Sequence, residues 1–290
     1  MEKDKKKFRD RRDATRLEMS GLDKILYGFK PHRCQAEVYI LKSLDVTELV
    51  KYYEKEKKKN KDFTYFHIFS ASIGKVIYNR PQLNNFIIGG KKYKKDDVSL
   101  SFVAKTDFSD NSTEYLSVIN VEEDDTLKEI SDKIKGSVKR VRHNSASSTD
   151  NFINNLKYLP SWLVRFIIWC AQKLDNHDIL PKSLMEGDVY HSSVLISNLG
   201  SVHCGGIYHN LANYGTNSIL CTIGEIRDDV RVVDGKKEVR KVCDFGVTLD
   251  ERIADGVYMV RSVNLLQYIF DNPKLLEDKA NDKVTIRQSK

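Results

Sequence analysis

The residues able to do chemistry concentrate in two short segments and one loop. Asp250-Glu251-Arg252-Ile253-Ala254-Asp255-Gly256 packs three carboxylates, a guanidinium and a glycine into one heptapeptide. A carboxylate accepts protons near neutral pH when burial or a second carboxylate raises its proton affinity. Asp250 and Asp255 are close enough in sequence to Glu251 to do this; the plainer reading is that Glu251 makes an ion pair. Leu195-Ile196-Ser197-Asn198-Leu199-Gly200 holds a hydroxyl outside any GxSxG frame, so Ser197 is no nucleophile by motif. It could instead donate a hydrogen bond to a reacting oxygen, or satisfy the backbone of the turn that follows. His209, in the loop beyond, carries an imidazole of the right type for a base, although an isolated histidine is more often simply packed or hydrogen-bonded.

Metal and thiol chemistry find no support. The other histidines, His32, His67, His143, His177, His191 and His203, show no metal-ligand spacing. Cys34, Cys170, Cys204, Cys221 and Cys243 are odd in number and scattered, with no CxxC pair. That pattern suits a reducing, cytoplasmic setting and argues against a disulfide framework or a zinc site.

The heptapeptide reads DERIADG beside the pattern DHRxxDG. The latter closes the catalytic domain of the acyltransferase component of 2-oxo acid dehydrogenase complexes, and HxxxDG closes chloramphenicol acetyltransferase. The 195–200 segment resembles that family's [TV]-[IS]-S-N-[IL]-G, about fifty residues earlier. Pro81-Gln82-Leu83-Asn84 resembles its P-x-[LF]-N, and Ile219-Leu220-Cys221-Thr222-Ile223-Gly224 its apolar strand ending in glycine. Order and spacing agree over about residues 32–275. More narrowly, Ile207-Tyr208-His209-Asn210-Leu211 together with DER-x-x-DG resembles stand-alone bacterial members that carry glutamate in place of the catalytic histidine.

The resemblance implies a chloramphenicol acetyltransferase-like fold, an α/β two-layer sandwich with a mixed β-sheet. It implies acyl transfer between a coenzyme A thioester and a thiol, hydroxyl or amine, in a homotrimer whose active sites lie between subunits. Glu251 then stands where the general base belongs, and Ser197 where a donor to the oxyanion belongs. Asp255 would pair with an arginine, such as Arg16, and hold the active-site turn. Asn198, Gly200 and Arg252 become the positions expected to touch coenzyme A. The loop bearing His209 would lie near the channel, making His209 a substitute base. Coenzyme A enters as substrate, with no tightly bound cofactor. The alternative is a catalytically silent homologue that binds acyl-coenzyme A or serves as an oligomeric scaffold.

Replacing the histidine has a cost that can be sized. Deprotonating a thiol of pKa about 8.5 is uphill by roughly two units for an ordinary histidine and roughly four for an ordinary glutamate, about 2.7 against about 5.7 kcal/mol. The gap corresponds to about a hundredfold in rate.

Around these residues the chain alternates helices and strands. Strands are expected at 34–41, 98–105, 114–121, 190–197, 217–226, 229–233 and 238–249, with hairpins at Gly89-Gly90 and Asp234-Gly235. Helices are expected from Asp45-Val46-Thr47-Glu48 to about Lys58, over Thr64–Tyr78, from Thr126-Leu127-Lys128-Glu129 through Val141, and at 151–158, 161–174 and 255–270. Two of these open on capping-box spacing, and Pro81 and Pro273 stop two others. The turn-rich stretch 144–150 reads as a surface loop within one domain.

The resemblance and the composition of the two ends together imply a basic arm (1–30), an acyltransferase-like domain (31–275) and a polar tail (276–290). The net charge of +7 gathers in Lys3, Lys5, Lys6, Lys7, Arg9, Arg11 and Arg12, and in Lys55, Lys57, Lys58, Lys59 and Lys61. No aromatic interleaving or nucleic-acid motif accompanies these runs, so they read as solvated, or as attractive to acidic partners such as coenzyme A phosphates. The apolar run from Trp162 to Cys170 is broken by Arg165 and falls far short of a membrane span. It suits a buried helix, an oligomer contact or the wall of an acyl site. Asp278-Lys279-Ala280 mimics a lipoyl attachment tripeptide, but no residues remain to build a lipoyl domain around it.

Overall fold

The structure is a computed structural model that describes residues 11–105, 114–142, 158–185 and 187–286. Lys3 to Arg9, the 144–150 stretch, nearly all of the helix expected at 151–158 and residues 287–290 lie outside the described residues. The chain opens with β1 (Ala14–Arg16) and α1 (Gly21–Phe29), then β2 (Glu37–Asp45), α2 (Thr47–Lys57) and α3 (Tyr65–Asn79). Next come β3 (Asn85–Ile88), β4 (Lys91–Lys95), β5 (Val98–Lys105), β6 (Glu114–Val121) and α4 (Leu127–Arg142). The last part holds α5 (Ser161–Asn176), β7 (Val194–Asn198), β8 (Ile219–Val233), β9 (Lys236–Asp250) and α6 (Gly256–Asp271).

Six strands form one mixed sheet in the order β2-β9-β8-β7-β5-β6. β7 runs parallel to both neighbours, and the other pairs are antiparallel. A second sheet, β1-β4-β3, stands beside it. Its β3–β4 turn is Gly89-Gly90, both at positive φ (56° and 74°), the conformation a two-residue hairpin needs.

One core joins the main sheet to α2, α3, α4 and α6. α3 is buried without interruption from His67 to Ile77, because its apolar residues cover more than one face. Phe69 of α3, Phe245 of β9 and Phe270 of α6 meet with ring centroids 5.3–5.6 Å apart. This is the two-layer α/β sandwich anticipated above.

Some local expectations change. The strand expected from residue 34 begins at Glu37, because Arg33–Gln35 form a 3₁₀ turn that sends Arg33 to distant carbonyls. β8 is one strand rather than two, with a register irregularity between Ile223 and Ile226. Asp45 does not cap through Glu48. It ends β2, accepts from the Thr47 amide at 2.9 Å and pairs with Arg240 at 2.8 Å. Glu129 does reach back, its Oε2 accepting from the Thr126 amide at 3.0 Å, while Thr126 Oγ1 accepts from the Lys128 amide at 3.2 Å.

Segments near both ends of the described chain are woven into the fold. Arg11 and Ala14 are buried. In the tail, Leu276 and Ala280 join the core, and the Lys75 ammonium donates to the Lys279 carbonyl at 2.6 Å. Lys279 itself reaches Asp124 from an irregular segment, unlike a lysine at a hairpin tip.

Candidate functional site

The turn after β9 is organised by a buried ion pair. Arg252 holds Asp250 through Nε–Oδ1 at 2.8 Å and Nη2–Oδ2 at 2.7 Å, and its Nη1 donates to the carbonyls of Lys30 (2.9 Å) and Pro31 (3.1 Å). Arg33 adds a second cation 3.9 Å from Asp250 and donates to the carbonyls of Ala212, Tyr214 and Gly215. Burial pulls the Arg33 guanidinium down to about 10; Asp250 opposes this and the like charge of Arg252 adds to it. Arg33 therefore stays charged at neutral pH. Together these bonds tie β9, the chain after α1 and the 212–215 segment into one knot.

This geometry corrects two expectations. Asp255 is exposed and binds no arginine among the described residues. It caps α6, accepting from the Tyr258 amide at 2.8 Å. The buried arginine-bound aspartate is Asp250, while Arg16 is exposed. Arg252, expected to touch coenzyme A, has all three guanidinium nitrogens committed to Asp250 and backbone carbonyls. A strand end with Asp and Arg two residues apart, hence on one side, was the signal that could have revealed the pair.

Glu251 lies on the other side of the turn. Its amide donates to the Ala36 carbonyl at 2.8 Å, and its carboxylate forms an ion pair with Lys30, the residue that ends α1. Glu251 lines a cleft of about 760 Å³ between this turn, α1 and the small sheet, with Leu22, Leu26, Val38, Lys92 and Met259 among its walls. Glu251 is 29% exposed, and Asp250 is spent on Arg252.

Ser197, Asn198 and Gly200 stand elsewhere on the sheet. Ser197 is half-buried, and its hydroxyl has no hydrogen-bond partner among the described residues. It sits in register with Thr222, which is in register with Gly246. The 204–211 segment lies across this row. Thr222 Oγ1 donates to the Ile207 carbonyl at 2.5 Å and accepts from the Ile207 amide at 3.2 Å. A side chain at 246 would meet that carbonyl at 2.1 Å, so only glycine lets the segment lie flat. Gly200 answers a similar demand, since a Cβ there would meet the Gly224 carbonyl at 2.6 Å. Asn198 is exposed at the strand end.

His209, on the same segment, is exposed, with Nδ1 3.0 Å from the Asn210 carbonyl. Its neighbours Asn210 and Leu211 bind Glu37 at the start of β2, but His209 is not among the residues lining the Glu251 cleft.

The candidate residues thus fall into two groups within one chain. From Ser197 to Gly246 is two strand spacings, about 10 Å, and Glu251 lies five residues further, about 17 Å. Ser197 and Glu251 are therefore about 20 Å apart, too far to act on one atom from the same chain.

A third cluster has no counterpart among the sequence motifs. Buried His191 lies between two carboxylates, Nε2 3.1 Å from Asp175 and Nδ1 2.8 Å from Asp188. Arg11 binds Asp175 at 2.9 Å and Asp13 at 2.8 Å. Burial works against the charged imidazole, but hydrogen bonds to Asp175 and Asp188 and their charges outweigh it, so the His191 pKa is raised. Asp188 and His191 are only three residues apart, but Arg11 comes from 164 residues before Asp175, so no local motif marks the cluster. Among the described residues, no cluster of His, Cys, Asp and Glu could hold a metal ion.

The chain is similar to known proteins in sequence and in fold. Residues 176–277, which hold both short segments, match the family of 2-oxoacid dehydrogenases acyltransferase (catalytic domain). The lipoamide acyltransferase component of the branched-chain alpha-keto acid dehydrogenase complex of Bacillus subtilis is 23% identical over 239 residues, covering 81% of this chain and 46% of that protein. The chain thus spans about half the length of this curated relative. A probable dihydrolipoamide acetyltransferase from Listeria monocytogenes superposes with a TM-score of 0.60 at 15% identity, covering 89% of this chain and 94% of that one. A chloramphenicol acetyltransferase gives a TM-score of 0.53 at 11% identity, covering 89% and 99%. At such identities the structural likeness speaks for the fold alone. Residues 176–277 thus resemble the catalytic domain of 2-oxoacid dehydrogenase acyltransferases, and the chain shares the fold of those domains and of chloramphenicol acetyltransferase.

Proposed function

We propose that the protein transfers an acyl group between a coenzyme A thioester and a thiol, hydroxyl or amine acceptor, at sites completed between the subunits of a homotrimer. One observation carries this reading. Glu251 lines an open cleft at one place on the chain, and the unpartnered Ser197 hydroxyl lies about 20 Å away. Two half-sites on different surfaces meet when copies associate head to tail around a closed ring. The acceptor's sulfur, oxygen or nitrogen attacks the thioester carbonyl, and Glu251 takes the acceptor's proton once Lys30 has moved aside. Ser197 donates to the oxyanion, worth about 3 kcal/mol for one such bond. Collapse of the intermediate expels the coenzyme A thiolate, which regains a proton. Asn198 and the Gly200 turn are the exposed groups left to contact coenzyme A, since Arg252 is committed elsewhere.

A second reading has its own observation, the Lys30–Glu251 ion pair. A carboxylate held by an ammonium suits a protein that binds acyl-coenzyme A without turnover.

Thiol release from acetyl- and longer acyl-coenzyme A separates the two. Transfer predicts acceptor-dependent release that falls about a hundredfold or more in Glu251→Gln and in Ser197→Ala, and survives in His209→Ala. Saturable coenzyme A binding without release supports the second reading. Absence of both binding and release overturns both.

A further inference from the structure

We propose that the carbon tail of the acyl group enters an apolar cavity behind the Glu251 cleft, with Met259 as its gate. The inference rests on the reading of that cleft as the place where the thioester is attacked. The cavity measures about 70 Å³ and lies between the main sheet, α3 and α6. Ile73 and Val76 of α3, Cys221 of β8, Leu249 of β9 and Leu266 of α6 are among its walls. Protein interiors keep few voids larger than a water molecule, so this gap is room for another group. The lining decides what kind. Its single hydroxyl, Ser262, is spent, donating to the Tyr258 carbonyl at 2.7 Å and accepting from Arg80 Nε at 3.1 Å. Burial pushes the Cys221 thiol up to about 12, so it stays neutral. A cavity lined in this way stays dry and takes hydrocarbon.

Met259 joins this cavity to the site. It lines both the cavity and the Glu251 cleft and is buried, so its side chain forms part of the wall between them. The backbone beneath it is pinned. Arg80 Nη2 donates to the Tyr258 carbonyl at 3.0 Å, and the guanidinium lies 3.6 Å from the centre of the Tyr258 ring. The Gln82 amide donates to the Tyr258 hydroxyl at 3.1 Å. Opening therefore falls to the Met259 side chain, which is unbranched and turns about three bonds. An acyl carbonyl in the cleft sends its tail toward Met259 and, past it, into a space closed by α3, α6 and the sheet. A group the size of a water molecule takes about 30 Å³, so the cavity holds roughly two or three carbons beyond the carbonyl. The substrate class is a short aliphatic thioester, about four carbons in all.

The test measures binding, so that recognition of the tail is read apart from turnover. The 2-oxopropyl, 2-oxopentyl and 2-oxooctyl thioethers of coenzyme A carry a carbonyl followed by a methyl, propyl or hexyl tail, and cannot transfer it. Calorimetric titration of the full-length protein should show the propyl tail binding about 15-fold tighter than the methyl, some fourfold for each methylene buried. The hexyl tail should bind no tighter than the propyl. Met259→Ala, which opens the cavity to the cleft, should let the hexyl tail bind about tenfold tighter than the propyl. Cys221→Leu, which fills the cavity, should erase the preference for propyl over methyl, with circular dichroism reporting that the fold is kept. A tail preference that both variants leave unchanged, a flat wild-type profile, or a rise that continues to the hexyl tail would overturn the inference and leave the transfer reading standing. Binding of none of the three thioethers would overturn that reading and this inference with it.

Discussion

Arg252 grips Asp250 with two parallel bonds of 2.8 and 2.7 Å, and both side chains are almost wholly withdrawn from water. The same guanidinium reaches the carbonyls of Lys30 and Pro31, so this one pair fixes where α1 ends relative to the turn carrying Glu251. The arrangement places the strength of the turn at Asp250 and leaves Asp255 a local helix cap.

That division predicts unequal mutational costs. Asp250→Asn or Arg252→Met strands a buried charge and should cost about 3–5 kcal/mol. Asp255→Ala removes one cap and should cost about 1 kcal/mol. Denaturant unfolding of the three variants checks the contrast, and equal losses at 250 and 255 would contradict the assignment.

Lys30 and Glu251 form a different kind of bond, part-exposed at 39% and 29%. A double-mutant cycle with Lys30→Met and Glu251→Gln should give a coupling of about 1 kcal/mol or less. If Glu251 is the base, Lys30→Met should raise thiol release, because the acceptor no longer competes with an ammonium. A fall instead would make Lys30 a positioning residue.

Gly246→Ala should act at a distance from its own strand. The new Cβ would collide with the Ile207 carbonyl at 2.1 Å and with Thr222 Oγ1 at 2.5 Å. The expected loss is about 1–3 kcal/mol, as for an overpacked core, with the 204–211 segment lifted from the sheet. Faster proteolysis there, compared with Gly256→Ala, where nothing obstructs a Cβ, measures the effect.

The His191 network should make stability depend on pH in both directions. The raised His191 pKa gives stability that is complete below the unfolded value of about 6.5 and is lost as pH rises through the folded value. Burial works against the Asp175 carboxylate, but His191 and Arg11 outweigh it and its pKa is lowered. Its contribution is present above the unfolded value of about 3.9 and is lost as pH falls through the folded value. His191→Asn should flatten the upper decline in thermal unfolding profiles; an unchanged profile would count against the network.

Sequence alone determined most of the elements and the resemblance to an acyltransferase catalytic domain. Helical spacing in Tyr65–Asn79, paired glycines at 89–90 and the two motifs at 195–200 and 250–256 are local patterns, and local backbone preference and binary patterning suffice to read them. Tertiary structure decided which aspartate takes the arginine. Asp250 and Asp255 are equally available in the string, and only the end of β9 in the sheet buries the first and leaves the second at a helix start. It also brought Lys30 to Glu251, 221 residues away, and Asp175, His191 and Arg11 to one another. The spacing of Ser197 from Glu251 likewise follows from strand register across the sheet. Such contacts are set by how separate elements dock, and no local pattern records them because each partner is chosen by the packing of the whole chain.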